Sequence, residues 1–458
     1  MLAIATALSR HAPDALALIH GDQRWTFAHL DSRSSDWSRW LVAHGVLPDD
    51  LVAFSRPNGP EFLALAFGIY KAGATPAPIS GKLPDFERDA ILTVMQPRLF
   101  VAAETLPGEG AGLPPLHIAA SWKACTSGGS TGTPKVIVDG RPAGFAAGMD
   151  FIGIPEGQPV LVPGPLYHNA PFSAAVFALW KGCTVITMDR FDAIGALQLI
   201  ARERVAWAMM VPTMMHRIMT LPDVSRDSLD LSSWKMVVHT AAPMARWLKE
   251  AWIDWLGPDH IWEVYGATEG LVRCWIGGRE WLERPGSVGR PIGGAQLRIL
   301  DEAGQEVPPG TEGEVFAMPP GGPGSSYHYL GADRRATADG WESVGDIGHV
   351  DADGYLFLSD RRSDLIISGG VNIWPAEVEA AILRHPRVGS CAVYGVADAD
   401  LGEVVHAVIE TGEALTPDTL STFLAPWLAR QKHPRSLTLQ SSPVRDDAGK
   451  FRKIRSPA

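Results

Sequence analysis

The sequence predicts an α/β protein with a large N-terminal domain and a small α+β C-terminal domain. The chain has 458 residues, which is long for a single domain. Amphipathic helical patterns alternate with short apolar runs bounded by Gly and Pro, which is typical of α/β layering. A charged run, DRRSD at 360–364, precedes a stretch able to form a unit by itself. We therefore predict domains at 1–360 and 361–458.

One helix–strand unit illustrates the larger domain. The segment PMARWLKEAWIDWL, 243–256, places one apolar stripe along a helix, made of Trp247, Leu248, Ala251, Trp252, Trp255 and Leu256. The strand-like run IWEVYG, 261–266, follows and ends in a glycine-containing turn. The carboxyl end of such a strand often presents a ligand site. Further on, MPPGGPGSSYHYLG, 318–331, is rich in Pro and Gly and predicts an irregular surface segment.

The last hundred residues carry their own helices and strands. PAEVEAAILRH predicts a helix with Pro375 in its first turn, and GSCAVYGV and EVVHAVIE predict strands. PDTLSTFLAPWLAR predicts a second helix, whose apolar face gathers Leu420, Phe423, Leu424, Trp427 and Leu428. These elements suffice for a small separate domain.

Composition and charge exclude several classes of function. The formal net charge of −11 argues against nucleic acid or an anionic membrane surface as the main partner. The four cysteines lie far apart without a CxxC pair, so neither a zinc site nor a disulfide framework is indicated. The N-terminus lacks the basic and long apolar regions of a signal peptide, and no run approaches the roughly 20 apolar residues of a membrane span. We expect a cytoplasmic protein.

The segment TSGGSTGTPK, 126–135, predicts a phosphate-binding loop. Its glycines let backbone N–H groups turn inward together, while its hydroxyls and Lys135 suit phosphate oxygens. It differs from the GxxxxGK[ST] loop, because Pro134 precedes the lysine and Val136 follows it. Taken alone, the segment also fits an ordinary surface turn.

Four further segments follow in order: YGATEG at 265–270, GWESVGDIG at 340–348, RRSDLIISGGVNIWPAEVE at 361–379 and AGKFRK at 448–453. Together with TSGGSTGTPK they resemble the signature motifs of the ANL adenylating enzymes. This superfamily includes acyl- and aryl-CoA synthetases, peptide-synthetase adenylation domains and luciferases. The resemblance covers nearly the whole chain and implies a large adenylating domain of several subdomains with a small mobile C-terminal domain.

The resemblance implies a set of ATP- and Mg²⁺-binding residues. The phosphate loop would contribute Thr126, Ser127, Gly128, Gly129, Ser130, Thr131, Gly132 and Lys135. Thr268 is assigned to the α-phosphate and Glu269 to Mg²⁺, for which a carboxylate is a suitable hard ligand. The adenine would lie beside Tyr265, Gly266 and the segment Ala241, Ala242 and Pro243, which reads TAAP where the family often has GGAP. Asp346 resembles the aspartate that binds both ribose hydroxyls, and Arg361 the arginine that also reaches the ribose.

The same resemblance assigns roles in the C-terminal domain. Ser363 stands at the hinge, where the family usually has Asp or Lys, and a small polar residue tolerates the required φ/ψ change. Gly369 and Gly370 would let the pantetheine arm of CoA pass close to the backbone. Lys450 matches the catalytic lysine of adenylation, whose cation would stabilise charge as a carboxylate attacks the α-phosphate. Lys453 is the competing candidate.

The segment GPLYHNAPF, 164–172, resembles the part of the family that flanks the acyl pocket. It assigns that role to His168, although a structural histidine is the alternative. Amino-acid-activating relatives carry an Asp here for the substrate's ammonium group, and this stretch has no acidic residue. An unpaired charge in an apolar pocket would cost several kcal/mol, and three methionines, Met209, Met210 and Met214, follow downstream.

We therefore predict an AMP-forming carboxylate–CoA ligase that uses ATP, Mg²⁺ and CoA on a bulky apolar acid: aromatic, alicyclic or steroid-like. The first alternative is an adenylating enzyme whose acceptor is an amine or a carrier-protein thiol. The second is a nucleotide-binding regulator without catalysis, which the presence of Lys450 and Glu269 disfavours. The sequence does not fix the acid, the acceptor or the oligomeric state, for which a homodimer is one expectation.

Overall fold

The computed structural model describes residues 1–102, 112–127, 134–361, 364–398, 400–447 and 449–451, with the backbone alone for Ser127, Asp227, Asp360 and Arg361. The α-helices of these residues are α1 (Phe27–Ala43), α2 (Pro60–Lys71), α3 (Asp85–Met95), α4 (Asn169–Trp180), α5 (Ala193–Arg202), α6 (Pro212–Met219), α7 (Asp223–Asp227), α8 (Arg246–Leu256), α9 (Gly278–Glu283), α10 (Pro375–Ile382) and α11 (Pro417–Leu424). Short 3₁₀ turns occur at Ile4–Thr6, Leu8–Arg10, Pro258–His260 and Arg430–Lys432.

The strands of the first half of the chain are β1 (Leu2–Ala3), β2 (Leu16–His20), β3 (Gln23–Thr26), β4 (Leu51–Phe54), β5 (Thr75–Pro78), β6 (Leu99–Val101), β7 (Ala124–Ser127), β8 (Lys135–Asp139), β9 (Gly144–Phe145), β10 (Val160–Val162), β11 (Val185–Thr187), β12 (Trp207–Met210) and β13 (Met236–His239). Those of the second half are β14 (Ile261–Gly266), β15 (Arg273–Gly277), β16 (Ser287–Pro291), β17 (Gln296–Leu300), β18 (Gly313–Met318), β19 (Tyr327–Leu330), β20 (Arg335–Ala336), β21 (Glu342–Ser343), β22 (Asp346–Val350), β23 (Leu356–Arg361), β24 (Ile366–Ser368), β25 (Val371–Ile373), β26 (Ser390–Asp398), β27 (Gly402–Glu410) and β28 (Ser436–Gln440).

A parallel sheet forms the centre of the large domain, with strand order β2-β11-β10-β12-β13-β14. Antiparallel strands extend it on both sides, and through β16 and β23 it joins the strands up to β20. Its residues alternate between two cores, as the two-residue period of a strand requires. Val160 and Val162 pack on the side of α2 and α4, whereas Leu161 packs on the side of α5, α6 and α8. The sheet is therefore covered on both faces, and the predicted α/β fold is confirmed.

Helix α8 follows the predicted stripe, with Leu248 and Trp252 fully buried and Trp247 and Trp255 partly buried. The helix also buries Lys249, at 1% exposure, which the pattern did not predict.

The small C-terminal unit has a sheet of its own, in which β25, β24, β27 and β26 are neighbours and β28 pairs with β27. Helices α10 and α11 cover this sheet around a separate apolar core, as the sequence predicted. The prediction for the second helix was wrong at its end. Helix α11 stops at Leu424, because Pro426 has no N–H to donate to the carbonyl four residues earlier, and Trp427 is 52% exposed rather than part of the apolar face.

One predicted irregular segment contains a strand. Within 318–331, Tyr327–Leu330 forms β19, which pairs antiparallel with β8. Its alternating YHYL pattern suits a strand, and pairing with β8 supplies the partner that the local sequence could not reveal. In the described parts of the chain no helix is both long and apolar enough to cross a bilayer. All four cysteines are free and buried.

Candidate active site

The motif residues of the large domain lie where parallel strands end. Thr240 to Pro243 follow β13, YGATEG continues from β14, and His168 follows β10 at the N-terminus of α4. Because the carboxyl ends of neighbouring parallel strands meet at one edge of a sheet, these segments converge there. The phosphate loop emerges between β7 and β8, whose residues Ser127 and Lys135 are cross-strand partners. The predicted Gly128, Gly129, Ser130, Thr131 and Gly132 lie outside the described residues.

Glu269 lies at the centre of a small polar network. Its Oε1 accepts a hydrogen bond from the Tyr329 hydroxyl at 2.6 Å and lies 3.5 Å from Lys135 Nζ. Lys135 Nζ also donates to the Tyr329 oxygen at 3.0 Å and lies 4.3 Å from the centre of that ring. The structure thus brings together the predicted metal ligand and the predicted phosphate lysine, 134 residues apart in sequence.

Tyr329 is a residue of this network that the sequence did not predict. Burial raises the pKa of its hydroxyl, and the Glu269 charge raises it further, so the group remains a hydrogen-bond donor. Recognising strand β19 could have identified Tyr329. The pairing of β19 with β8 places Tyr329 opposite Ile137, two residues after Lys135.

Glu269 fits a magnesium ion shared with substrate. Its carboxylate is 6% exposed. Among the described residues there is no group of three or more His, Cys, Asp or Glu that could hold an ion unaided. Mg²⁺ commonly takes one or two carboxylates and completes its shell with substrate phosphates and water. A single carboxylate beside the phosphate loop matches this mode.

The predicted adenine and ribose residues also meet. The Tyr265 hydroxyl donates to Asp346 Oδ2 at 2.6 Å, although 81 residues separate them. Asp346 is 8% exposed and lies at the start of β22, where its cross-strand partner is Arg361 at the end of β23. The backbone therefore juxtaposes the two residues assigned to the ribose.

The segment TAAP explains why glycine is frequent in this place in the family. Ala241 has φ of +76°, the left-handed region that non-glycine residues adopt at a cost of about 1–2 kcal/mol. The residue is exposed, so no packing of its methyl group offsets this cost. Ala241 thus carries local strain beside the predicted adenine position.

Three buried side chains next to the TAAP segment, Lys249, Glu263 and His239, form a polar cluster. The Lys249 ammonium donates a hydrogen bond to the Glu263 carboxylate, and His239 Nε2 lies 3.6 Å from the same oxygen. Burial lowers the pKa of His239 to about 4, so its imidazole is neutral near pH 7. Because His239 precedes Thr240 directly, this cluster fixes the strand end from which the TAAP segment departs. No sequence pattern indicated this cluster, since charged residues are seldom fully buried.

Lys450 belongs to a loop of the small unit, Arg445 to Phe451, which we name the lysine loop. Asp446 orders it, because its Oδ1 accepts the Lys450 N–H at 2.9 Å while its own N–H donates to the Lys450 carbonyl at 2.9 Å. Gly449 has φ of +75°, as this tight turn requires. Arg445 fixes the loop to α10 by two 2.7 Å contacts with the Glu379 carboxylate.

The lysine loop lies against the large domain near His168. Asp446 Oδ2 is 3.7 Å from His168 Nε2, and Asp447 Oδ1 is 3.6 Å from Arg217 Nη1. The Lys450 charge acts on the Cys125 thiol, which precedes Thr126, although burial dominates in raising the pKa of that thiol. The lysine loop therefore lies against the first residues of α4 and against α6, with Lys450 near enough to Cys125 for its charge to act on that thiol. Lys453, Ala448 and the hinge residue Ser363 lie outside the described residues.

The two glycines predicted to pass the pantetheine arm are not part of these contacts between the lysine loop and the large domain. Gly369 and Gly370 form the turn between β24 and β25, with φ of +57° and +81°, as a two-residue hairpin requires. The Gly369 N–H donates to the Leu401 carbonyl within the small unit. A Cβ at Gly370 would meet no atom within 4 Å, so the backbone is open there.

Comparison with known proteins agrees with these observations. The family model of AMP-binding enzymes matches residues 5–121 and 123–325, and the model of their C-terminal domain matches 377–445. A feruloyl-CoA synthase from an Amycolatopsis species is 32% identical over 97% of this chain and 96% of its own. A 2-succinylbenzoate–CoA ligase from Bacillus licheniformis is 29% identical over 93% and 92%. An O-succinylbenzoate coenzyme A synthetase from Bacillus subtilis, solved with ATP and magnesium, has a TM-score of 0.80 at 25% identity and 98% coverage of both chains.

The chain belongs to the AMP-binding enzymes of the ANL superfamily. Within that superfamily it is an AMP-forming acid–thiol ligase of the acyl- and aryl-CoA synthetase type. The predicted family, the fold with large and small domains, and the enzyme class are thereby confirmed. The individual site residues and the exact domain boundary stay predictions.

Proposed function

We propose that this enzyme activates a ring-bearing, largely apolar carboxylic acid and transfers it to CoA. In the first step a carboxylate oxygen attacks the α-phosphorus of ATP and the bond to the β-phosphoryl group breaks, giving acyl-AMP and pyrophosphate. In the second step the thiol sulfur of CoA attacks the acyl carbon, its proton leaves, and AMP departs. The observation that carries this proposal is that Lys135 meets Glu269, and the lysine loop meets His168, where the parallel strands end.

The charge and the position of each site residue suggest its role. Attack of one anion on another needs cations aimed at the developing charge, and Lys135 and Lys450 approach from opposite units of the chain. The phosphate loop and Thr268 would hold the phosphates, while Tyr265, Gly266, Asp346, Arg361 and the segment 241–243 would hold the nucleoside. When bound at Glu269, Mg²⁺ would neutralise phosphate charge.

The second step requires the lysine loop to leave. A hinge near Ser363 would rotate the small domain, 361–458, so that Gly369 and Gly370 approach the acyl-AMP and admit the pantetheine arm. Gly370 suits this role because its backbone is open. Rotation about a hinge exchanges one set of contacts for another without remodelling either unit.

The apolar acid is supported by the face of the sheet beside His168. Phe172 and Phe177 of α4 share an apolar core with Val264 of β14, and Phe151 packs on Phe177 at 5.1 Å. The segment 164–172 itself is not acidic, but Asp446 approaches His168 from the small unit. The relatives named for feruloyl and 2-succinylbenzoate acids also act on ring-bearing compounds.

The test is pyrophosphate release from ATP with a panel of acids, each with and without CoA. We expect fast release with ring acids, acyl-CoA as the product, and far slower release with phenylalanine than with 3-phenylpropanoate. Equal rates for these two would show that Asp446 or another acidic group receives the ammonium, and would favour amino-acid activation. Product formation with an amine or carrier-protein thiol instead of CoA would favour the alternative acceptor.

A further inference from the structure

Arg273 stands directly beside the YGATEG motif, yet no family motif accounts for it. It is the first residue of β15, and its cross-strand partner is Gly266, two residues before Thr268. Antiparallel partners lie about 4.5–5.5 Å apart between Cα atoms. Gly266 is exposed, and a Cβ there would come within 3.4 Å of Arg273 Cγ. The arginine stem therefore crosses the open surface next to the predicted α-phosphate position.

The side chain of Arg273 points to the α4 face of the sheet. Gly266 and Arg273 lie on the same face as Val264 and Trp275, two residues along each strand. Val264 packs in the core that contains Phe172 and Phe177. Tyr265, on the opposite face, reaches Asp346. Arg273 thus lies on the side proposed for the acyl group and not on the nucleotide side.

Within the described parts of the chain, no carboxylate lies at ion-pair distance from the guanidinium of Arg273, which lies over the Phe151 ring at 5.3 Å from its centre. Asp150 attracts it, but Asp150 is 68% exposed and lies 3.8 Å from Lys181. Arg141 repels it, and the charge of Arg141 is already matched by two hydrogen bonds to Asp139. Burial lowers the pKa of Arg273, but an arginine remains charged at neutral pH.

A largely buried cation without a partner is costly for the free protein, and an anionic ligand would offset that cost. Phe151, under the guanidinium, and the partly buried Trp275, two residues along β15, supply apolar surface on the same face. If an acid placed its reacting carboxylate at Thr268 and its apolar ring against these side chains, the other end of the acid would face the guanidinium of Arg273. Arginine binds a carboxylate in a bidentate manner, which also fixes its orientation.

We propose that Arg273 is a specificity-determining residue that binds a second carboxylate at the far end of the acid, so that the preferred substrate is a ring-bearing dicarboxylic acid. This inference rests on the proposed function and names its substrate class more closely.

The test compares 3-phenylpropanoate with the para and meta isomers of 3-(carboxyphenyl)propanoate. Pyrophosphate release is measured for the wild type, Arg273→Leu and Arg273→Lys. In the wild type we expect kcat/KM to be at least tenfold higher for one dicarboxylate than for the monocarboxylate. Arg273→Leu should reverse this preference, mainly through KM for the dicarboxylate, and Arg273→Lys should keep part of it.

The matched control is Arg290→Leu on the neighbouring strand β16, because Arg290 is 56% exposed and lies 3.8 Å from Glu280. It should leave the preference unchanged. A melting temperature for Arg273→Leu at or above that of the wild type would agree with removal of an unpaired charge. If that variant does not fold, Arg273→Gln takes its place.

The inference is overturned if the wild type prefers the monocarboxylate, or if Arg273→Leu leaves the preference unaltered while ring acids are still activated. A different result, no pyrophosphate release with any acid of the panel, would overturn the proposed function itself and this inference with it.

Discussion

The nucleotide edge of the large domain and the lysine loop of the small unit are held in different ways. At the nucleotide edge, Tyr265 to Asp346 and Tyr329 to Glu269 are short, partly buried hydrogen bonds of 2.6 Å. The lysine loop is tied as firmly to its own unit, through Arg445 and Glu379 at 2.7 Å. Its polar contacts with the large domain are longer, 3.4 Å from the Phe191 N–H to Asp447 and 3.6 and 3.7 Å in the two ion pairs, whose side chains are partly buried. The difference in length indicates which contacts can be exchanged at low cost, since long ion pairs that water still reaches contribute about 0–1 kcal/mol.

Other contacts also join the two units within the described residues. His216 Nε2 lies 3.1 Å from the Leu383 carbonyl, and Trp247 Nε1 donates to the Ala380 carbonyl at 3.0 Å. These contacts and the lysine-loop contacts would be lost together if the small unit rotated. The nucleotide edge would keep its own network, so substrate could stay bound between the two steps.

The largest effect is expected from replacing Lys450, because its cation would stabilise the charge that builds up as the carboxylate attacks the α-phosphate. Lys450→Ala should lower acyl-AMP formation by about a thousandfold, while transfer from supplied acyl-AMP to CoA is largely kept. Both half-reactions are measured separately, with Lys453→Ala as the matched control. An equal loss in both steps would contradict the role, and a comparable defect in the control alone would move it to Lys453.

Glu269→Gln is expected to come next, with a loss of about ten- to a hundredfold in adenylation. The amide keeps the shape but removes the charge that favours Mg²⁺. The loss should shrink as Mg²⁺ is raised, and binding of MgATP, followed by calorimetry, should weaken in parallel. Glu302→Gln, at an exposed position, is the control. Unchanged activity at low Mg²⁺ would rule out the metal assignment.

Tyr329→Phe probes how the buried network holds Glu269. Losing one hydrogen bond to a charged group costs about 1.5–3 kcal/mol, part of which bound Mg²⁺ would replace. We expect the Mg²⁺ concentration for half-maximal MgATP binding to rise several-fold. Tyr355→Phe removes a buried tyrosine hydroxyl that bonds Glu280, outside this network, and serves as the control. The same shift in both variants would indicate a general packing defect.

Asp447→Asn weakens the contact of the lysine loop with Arg217. Acyl-AMP formation should fall by two- to fivefold, about 0.4–1 kcal/mol, and this effect should diminish at high salt. The thiol step should be unaffected or slightly faster, because its conformation does not use the contact. Asp400→Asn, exposed in the same unit, should change neither step. A larger loss in the thiol step would show that the contact belongs to the other conformation.

The smallest effect concerns the strain at Ala241. Ala241→Gly should raise the free energy of unfolding by up to about 1 kcal/mol, because glycine adopts φ of +76° freely while it adds entropy to the unfolded chain. Urea unfolding midpoints measure the difference. Ala242→Gly, next to it but without a positive φ, should be destabilising. Equal destabilisation by both changes would mean that Ala241 is not strained.

Much of the fold was predictable because it depends on local patterns. The alternation of apolar residues fixed β14, β26 and β27, and Pro375 marked the start of α10. The stop of α11 before Pro426 was missed although its signal is local. Strand β19 was missed for another reason, since a Pro- and Gly-rich context hides a short strand whose partner is nearly two hundred residues away.

The sequence by itself determined the family, the enzyme class and the identity of the motif residues, because these depend on residue types at fixed spacing. Tertiary structure alone decided which of them meet: Tyr329 with Glu269, Tyr265 with Asp346, and the lysine loop with His168. It also revealed the buried Lys249, paired with Glu263, and the guanidinium of Arg273, which has no carboxylate within ion-pair distance among the described residues. The physical reason is that burial and electrostatic pairing depend on distances between residues far apart in sequence, and no local pattern records these distances.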